Sequence, residues 1–384
     1  MRPITSSLTL LGIVAVAASC TSNDTGNTAG GGGALTVKST SKACEISASK
    51  APSGNLVFKV TNDGSEVTEF YLLADDGLRI VGEVENIGPG LTRNLVVQAG
   101  PGSYFTACKP GMVGDGIRSP FTVTDSGAKL ATGDVAALLD TATEQYRLYV
   151  RDQVAQLVGK TQKFADLYVA GDDDAARALY AVARTHWERV EPVAESFGDL
   201  DPRLDLREAD LEEGQEWTGW HAIEKDLWPP TAGYTAFTAA KRSALAEQLV
   251  ADTDELSTRV QQLTFNATQL GNGAKELLDE VATGKVTGEE EIWSHTDLWD
   301  FQANVDGARI AFEALQPALD TKNPALAATL TERFSALQTL LDQYRDGDGF
   351  VLYTDLTDEQ VKELAAAVNA LSEPLAELTA AVVL

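Results

Sequence analysis

Polar and apolar residues alternate over short runs between residues 35 and 125. Runs such as LTVKS, NLVFKVTN and GSYFTAC are rich in Val, Thr, Phe and Tyr, and turn residues such as Asn62, Asp63 and Gly64 separate them. Because alternation with a period of two is typical of half-buried strands, about seven short strands are expected here. The pattern predicts a small all-β sandwich.

Apolar residues recur at helical spacing from residue 134 to residue 384. Ala, Leu and Glu are frequent in stretches such as 232–283, 288–320, 322–346 and 356–383, and Gly or Pro residues interrupt the pattern. This periodicity predicts about eight helices packed in one or two bundles. The expected fold class is therefore multidomain: a small all-β sandwich at 35–125 followed by an all-α helical bundle domain at 134–384.

The N-terminus has the features of an export signal. Arg2 precedes an apolar run at 8–18 that is too short to span a bilayer and fits a signal peptide. A lipoprotein signal peptidase recognises small residues directly before a cysteine, as found before Cys20. We therefore expect removal of residues 1–19 and lipidation of Cys20. Residues 20–34 are rich in Gly, Ser, Thr and Asn and are expected to form a flexible tether. The alternative is an ordinary secretory signal with an incidental cysteine.

These features predict an extracytoplasmic location, in the periplasm or cell envelope, with the protein held to membrane lipid through Cys20. The formal net charge of −27 disfavours nucleic acid and anionic lipid surfaces as partners. It is compatible with the collection of cations, although solubility and colloidal stability account for most of such a charge.

Two cysteines remain after the lipidation site. Cys44 and Cys108 both lie in the predicted β-sandwich, and the expected compartment is oxidising. They form either a disulfide or a two-thiolate metal site.

The sharpest local motif is WTGWHAIEKDLW at residues 217–228. His221 and Glu224 are three residues apart, so on a helix they lie on one face and could bind one metal ion. The alternative is a half-buried histidine beside a solvated glutamate. The chain contains no HExxH, GxSxG or P-loop motif.

Two further stretches, 185–207 and 289–300, are rich in carboxylates. Pro192 is expected to kink or end a helix in the first stretch, with Asp205 in the loop that follows. Solvated acidic faces and helix capping are the alternatives to metal binding for both stretches.

Three segments together resemble the EfeO family of iron-uptake lipoproteins, which belongs to the imelysin-like group. They are VEPVAESFGDLDP at 190–202, GWHAIEKDLW at 219–228 and SHTDLWDFQAN at 294–304. The resemblance extends over residues 35–384 and is more specific in the helical part. It implies that the β-sandwich is cupredoxin-like and that the helical domain is imelysin-like.

The resemblance implies an iron site in the helical domain, built from an HxxE pair and carboxylates of other helices. Imidazole and carboxylate ligands suit iron, although zinc and manganese accept the same set. Carried onto this chain, the candidate ligands are His221 and Glu224, then Glu191 and Asp205, with Glu290 and Glu291 as looser matches.

The resemblance also implies a second metal in the cupredoxin-like domain, for which copper is the candidate. Cys44 and Cys108 would be its ligands, with Glu69 and Glu85 as further carboxylates. Residues 35–125 contain no histidine, which excludes a blue-copper His₂Cys site.

The function implied by the resemblance is capture of iron outside the cytoplasm and its transfer to a membrane iron permease. A haem-containing peroxidase-like protein is the second expected partner. No catalytic residues are assigned, with an auxiliary redox role left open. The alternative is a zinc-dependent metallopeptidase of the imelysin-like group, but Lys225 stands where the second histidine of such a site would be.

Overall fold

The computed structural model describes residues 33–127, 133–211 and 214–384. The predicted signal peptide, Cys20 and most of the predicted tether lie outside these residues. Within the described ranges, a β-sandwich covers 35–124 and a helical domain follows from 134 to 383. The predicted fold class is therefore confirmed.

Nine strands form the sandwich. Their pairing gives one sheet in the order β2-β1-β4-β7 and a second in the order β3-β9-β8-β5-β6. The expectation of about seven strands missed two that are only three residues long. The strands are β1 Leu35–Ser39, β2 Cys44–Ile46, β3 Lys50–Pro52, β4 Gly54–Asn62, β5 Thr68–Leu73, β6 Ile80–Ile87, β7 Thr92–Ala99, β8 Gly102–Pro110 and β9 Ile117–Thr124.

Alternate residues of the strands fill the space between the two sheets. The ring of Phe58 lies at the centre, with ring centroids of Phe70 and Phe121 at 5.2 and 5.7 Å. Cys44 and Cys108 form a disulfide that joins β2 of one sheet to β8 of the other. The thiolate alternative for this pair is therefore wrong, and with it the copper site that it would build.

Removal of this disulfide should destabilise the sandwich. It closes a loop with a sequence separation of 64. Chain entropy for such a loop predicts a loss of about 4 kcal/mol in the free energy of unfolding. Urea unfolding of a Cys44→Ala/Cys108→Ala variant, monitored with a signal that reports on the β-sandwich, measures this loss of free energy. An unchanged midpoint would contradict the expectation.

Ten α-helices lie within the described part of the second domain, against about eight expected, because two of them, α3 and α10, have only six residues. A small hairpin of β10 Arg345–Asp346 and β11 Gly349–Phe350 follows α8. The helices are α1 Asp134–Ala170, α2 Asp173–Glu188, α3 Leu200–Asp205, α4 Gly219–Leu227, α5 Ala239–Val260, α6 Ala267–Thr283, α7 Asp297–Lys322, α8 Pro324–Leu341, α9 Asp358–Leu375 and α10 Leu378–Val383.

Three helix boundaries matter for the site: one agrees with the sequence expectation and two differ from it. As expected from Pro192, α2 ends early, and a 3₁₀ segment follows at Glu191–Phe197. Asp205 closes the short helix α3 rather than lying in a loop. The stretch predicted as helical from residue 288 begins its helix only at Asp297, so residues 289–296 form turns.

The β-sandwich packs on α6 and on the C-terminus of the helical domain. The Asn272 side-chain amide donates to the Val96 carbonyl oxygen at 2.9 Å, and the Gln98 backbone N–H donates to Thr268 Oγ1 at 3.0 Å. These contacts place β7 beside α6. In the described part of the chain, no helix is both long enough and apolar enough to cross a membrane.

Candidate metal centre

Helix α4 carries the HxxE motif into the interior of the helical domain. It begins at Gly219, whose φ is +83°, and a Cβ there would lie 2.1 Å from the carbonyl oxygen of Leu204. Only glycine permits this close approach to the end of α3. The contact brings His221 next to Asp205, and both His221 and Glu224 are fully buried.

His221, Glu224 and Glu291 form one group with metal-ligand spacing. His221 Nδ1 lies 3.3 Å from Glu224 Oε2. The other oxygen of Glu224 accepts hydrogen bonds from the backbone N–H groups of Trp293 and Ser294 at 3.1 and 2.7 Å. These bonds fix the turn at 289–296 against α4, and so position Glu291.

Asp205, His221 and Glu290 form a second group on the other side of the same imidazole. His221 Nε2 lies 3.4 Å from Asp205 Oδ1 and 3.6 Å from Glu290 Oε1, and it has no hydrogen-bond partner. A buried polar atom without a partner is costly unless a ligand satisfies it. The two groups share His221, but its two ring nitrogens point away from each other, so one cation can bind only one of them. A cation at Nε2 can take carboxylate oxygens from Asp205 and Glu290.

Two buried cationic side chains hold the surrounding carboxylates together. The Arg184 guanidinium is fully buried and pairs with acidic residues from α2, α3, α7 and the 289–296 turn. The Lys285 ammonium is 1% exposed and lies 2.9 Å from Glu188 Oε2. The carboxylates paired with Arg184 are Glu188, Asp205, Glu290, Glu291 and Asp300.

Glu191 lies apart from both groups. Its carboxylate binds Lys285 Nζ at 2.7 and 2.9 Å and accepts from the Asn304 amide at 2.7 Å. Five of the six candidate ligands therefore lie in the two groups that share His221, whereas Glu191 pairs with the ammonium group of Lys285.

The electrostatics at His221 favour a positive charge. Burial and the neighbouring Arg184 lower the pKa of His221, but Glu224, Glu290 and Asp205 outweigh them and raise it to about 9. The pKa of Glu291 is shifted in the same direction, because burial and Glu224 hold it well above the usual range. The centre therefore stabilises an added cation by charge as well as by ligand geometry.

A cleft of about 590 Å³ leads from this centre to the β-sandwich. Burial, together with neighbouring carboxylates, raises the pKa of Asp201 to about 7 and that of Glu276 to about 8. Nine acidic side chains and one guanidinium line it: Glu83, Glu85, Glu191, Asp201, Asp205, Asp210, Glu276, Glu280, Glu290 and Arg207.

The carboxylates predicted for a second metal do not gather around the cysteines. Glu69 is buried on β5, where it accepts from the Tyr71 hydroxyl, and Lys109 Nζ lies 3.8 Å away. Glu85 faces the cleft on β6, and burial raises its pKa to about 7. Among the residues that the structure describes, no group of three ligands lies in the sandwich.

Sequence reasoning missed three buried charged residues of the centre: two cations that neutralise its carboxylates and one further acid. Arg184 stands four residues before Glu188 on α2, a spacing that indicates an ion pair but not its burial. Lys285 stands in a turn far from the carboxylates along the chain, and no sequence signal reveals it. Asp300, one turn after Asp297 on α7, is buried with both oxygens free of hydrogen bonds.

Comparison with known proteins gives the family. The sequence model of the Imelysin family matches residues 142–378. The chain is 37% identical over 342 residues to the iron uptake system component EfeO of Escherichia coli strain K12, covering 88% of each chain. It is equally similar to the protein of that name from Shigella flexneri, and 36% identical over the same length and coverage to the one from Escherichia coli O157:H7.

The matched region contains every helix that contributes to the metal centre, and a similarity over 88% of the chain is too long to be confined to the helical domain. The chain therefore belongs to the EfeO family of imelysin-domain proteins.

Proposed function

We propose that this protein is the iron-binding component of an iron uptake system, which captures iron outside the cytoplasm and passes it to a membrane iron permease. The observation that carries the proposal is the buried Nε2 of His221, which has no hydrogen-bond partner and lies 3.4 and 3.6 Å from carboxylate oxygens of Asp205 and Glu290. One imidazole among carboxylates is a donor set that suits iron. The names of the relatives support iron as the cargo.

The acidic cleft is the route by which the cation reaches the centre in this proposal. A cleft lined mainly by charges of one sign concentrates oppositely charged ions. Asp205 and Glu290 line the cleft and also belong to the group around His221. A cation that enters from the β-sandwich side thus meets carboxylates along the whole path.

The proposed anchor is lipid on Cys20, with residues 20–34 as the tether. Tethering next to a permease raises the local concentration of loaded protein for transfer. A haem-containing peroxidase-like protein is the further partner in this proposal.

We propose a role in binding rather than catalysis. A zinc hydrolase needs about three protein ligands and an open water position, often with a second histidine on the same helix. In this chain Lys225 occupies the position of that second histidine. Its ammonium group pairs with Glu208 and lies over the rings of Trp217 and Trp293. The metallopeptidase alternative would require that the protein cleave a casein-type substrate and that His221→Ala abolish this cleavage.

Two measurements test the proposal. Titration of the metal-free protein with Fe(II) under anaerobic conditions and with Fe(III) should show specific binding of iron. Deletion of the gene should slow growth under iron limitation, and a Cys20→Ser copy should restore growth less well than the unaltered gene. A protein that binds no iron on titration, or a deletion without effect on iron-limited growth, would contradict the proposal.

Metal affinity should fall in acid. The raised pKa of His221, about 9, means that a metal must displace a proton at neutral pH. Affinity should therefore drop by about tenfold for each pH unit below about pH 9. Titration with Mn(II), which resists hydrolysis, at several pH values from about 6 to about 8.5 measures the slope. An affinity that is constant over this range would contradict protonation of the ligand.

A further inference from the structure

A second cavity lies on the opposite face of α2 and α7 from the metal centre. Arg184 and Glu188 of α2 point to the centre, whereas His186 and Arg189 line the second cavity. Its volume is about 500 Å³, which is in the range of small-molecule sites. It shares no lining residue with the acidic cleft.

The cavity is positively charged within a strongly acidic protein. Four cationic side chains and three carboxylates line it, so its charge is 4 − 3 = +1 where the whole chain carries −27. The cations are Lys160, Arg189, Arg309 and Arg345, and the carboxylates are Asp306, Asp342 and Asp348.

Two of the cationic groups retain free hydrogen-bond donors. Arg189 and Arg309 both bind the carboxylate of Asp306, at 3.3 and 2.9 Å, but the Nε of Arg309 is buried without a partner. Lys160 has no ion pair among the described residues, and burial together with the charge of Arg189 lowers its pKa. An ammonium and a guanidinium are thus available to a carboxylate ligand.

His186 supplies an acceptor in the same cavity. It is only 4% exposed, and its Nδ1 lies 2.8 Å from Gln153 Oε1, to which a neutral ring donates. Its Nε2 is then an acceptor, and it has no partner. Burial, Lys160 and Arg189 lower the pKa of His186 to about 4, so the ring stays neutral near pH 7. A neutral acceptor next to cations suits a hydroxyl group rather than a second carboxylate.

We propose that this cavity binds a small organic anion that carries both carboxylate and hydroxyl groups. The carboxylates pair with Lys160 and Arg309, and the hydroxyl donates to Nε2 of His186. The rings of Trp299 and Phe350, with centroids 5.6 Å apart, provide an apolar wall for the carbon skeleton. The volume and this wall favour an organic anion over inorganic phosphate or sulfate.

Calorimetric titration of the metal-free protein tests the proposal without reference to iron. Citrate is the probe, and tricarballylate, which is citrate without its hydroxyl, is the matched ligand control. Citrate should bind at least about tenfold more tightly than tricarballylate, as expected for a buried hydrogen bond. His186→Asn keeps an N–H for Gln153 and removes the Nε2 acceptor, so it should abolish this difference and leave tricarballylate binding unchanged.

Lys160→Gln should weaken the binding of both citrate and tricarballylate at least about tenfold. Lys163→Gln, an equal charge change at an exposed position of the same helix, should leave both affinities unchanged. Failure of citrate to bind, equal binding by phosphate or sulfate, or equal effects of Lys160→Gln and Lys163→Gln would each overturn the proposal. None of these results depends on whether the His221 centre binds iron.

Discussion

His221→Ala is expected to weaken iron binding by about 100-fold or more. Loss of a residue that only supports a ligand costs about 10–100-fold in metal affinity, so loss of the ligand itself should reach or exceed that range. His221 belongs to both ligand groups, and no other imidazole takes part in either. Competition with a chelating dye under anaerobic conditions measures the affinity.

Two variants separate ligand loss from general disturbance. Glu224→Gln keeps the shape and an oxygen for the N–H groups of Trp293 and Ser294 while it removes the charge, so it should also weaken binding. His295→Asn lies in the same turn at φ 58°, a conformation that Asn tolerates, and belongs to neither ligand group. It should bind iron normally. Unchanged stoichiometry and affinity in His221→Ala would refute the assignment.

Arg184→Met is expected to destabilise the metal-free protein by about 3–5 kcal/mol, since removal of one partner leaves buried carboxylates without a counter-charge. Arg184 is fully buried and contacts Asp205, Glu290 and Glu291, which are also the candidate ligands. A bound metal ion supplies positive charge at the same oxygens. The loss should therefore be smaller in the presence of saturating Mn(II).

Urea unfolding with and without metal measures this difference. Arg333→Met, an equal change at an exposed position of α8, should cost less than about 1 kcal/mol under both conditions. Equal losses for the two variants, or a loss at Arg184 that metal does not reduce, would show that this guanidinium does not balance the charge of the centre.

The HxxE pair could be predicted because its geometry is local. Residues three apart share a helix face wherever the helix forms, so His221 and Glu224 had to be neighbours. The division into sandwich and helical bundle was predictable for the same reason, since apolar residues recur with a period of two in the first part of the chain and of 3.6 in the second.

The other ligands depend on contacts between distant segments. Glu290 and Glu291 looked like the start of a helix, yet they lie in a turn that Glu224 fixes through two backbone N–H groups. Glu191, an equally acidic candidate in the sequence, is held by Lys285 instead. Composition and spacing could not separate these cases, because a carboxylate next to a cation and one next to an imidazole look alike along the chain.

The sequence by itself determined the two-domain architecture, the acidic character of the protein and one helical pair of candidate ligands. These follow from local periodicity and from charges that the fold cannot remove. Only the tertiary structure decided that Cys44 and Cys108 are joined and that Arg184 neutralises the centre. It also placed the β-sandwich as one wall of the acidic cleft. The physical reason is that burial and long-range proximity, which set both the pKa values and the pairing of charged groups, are properties of the packed molecule.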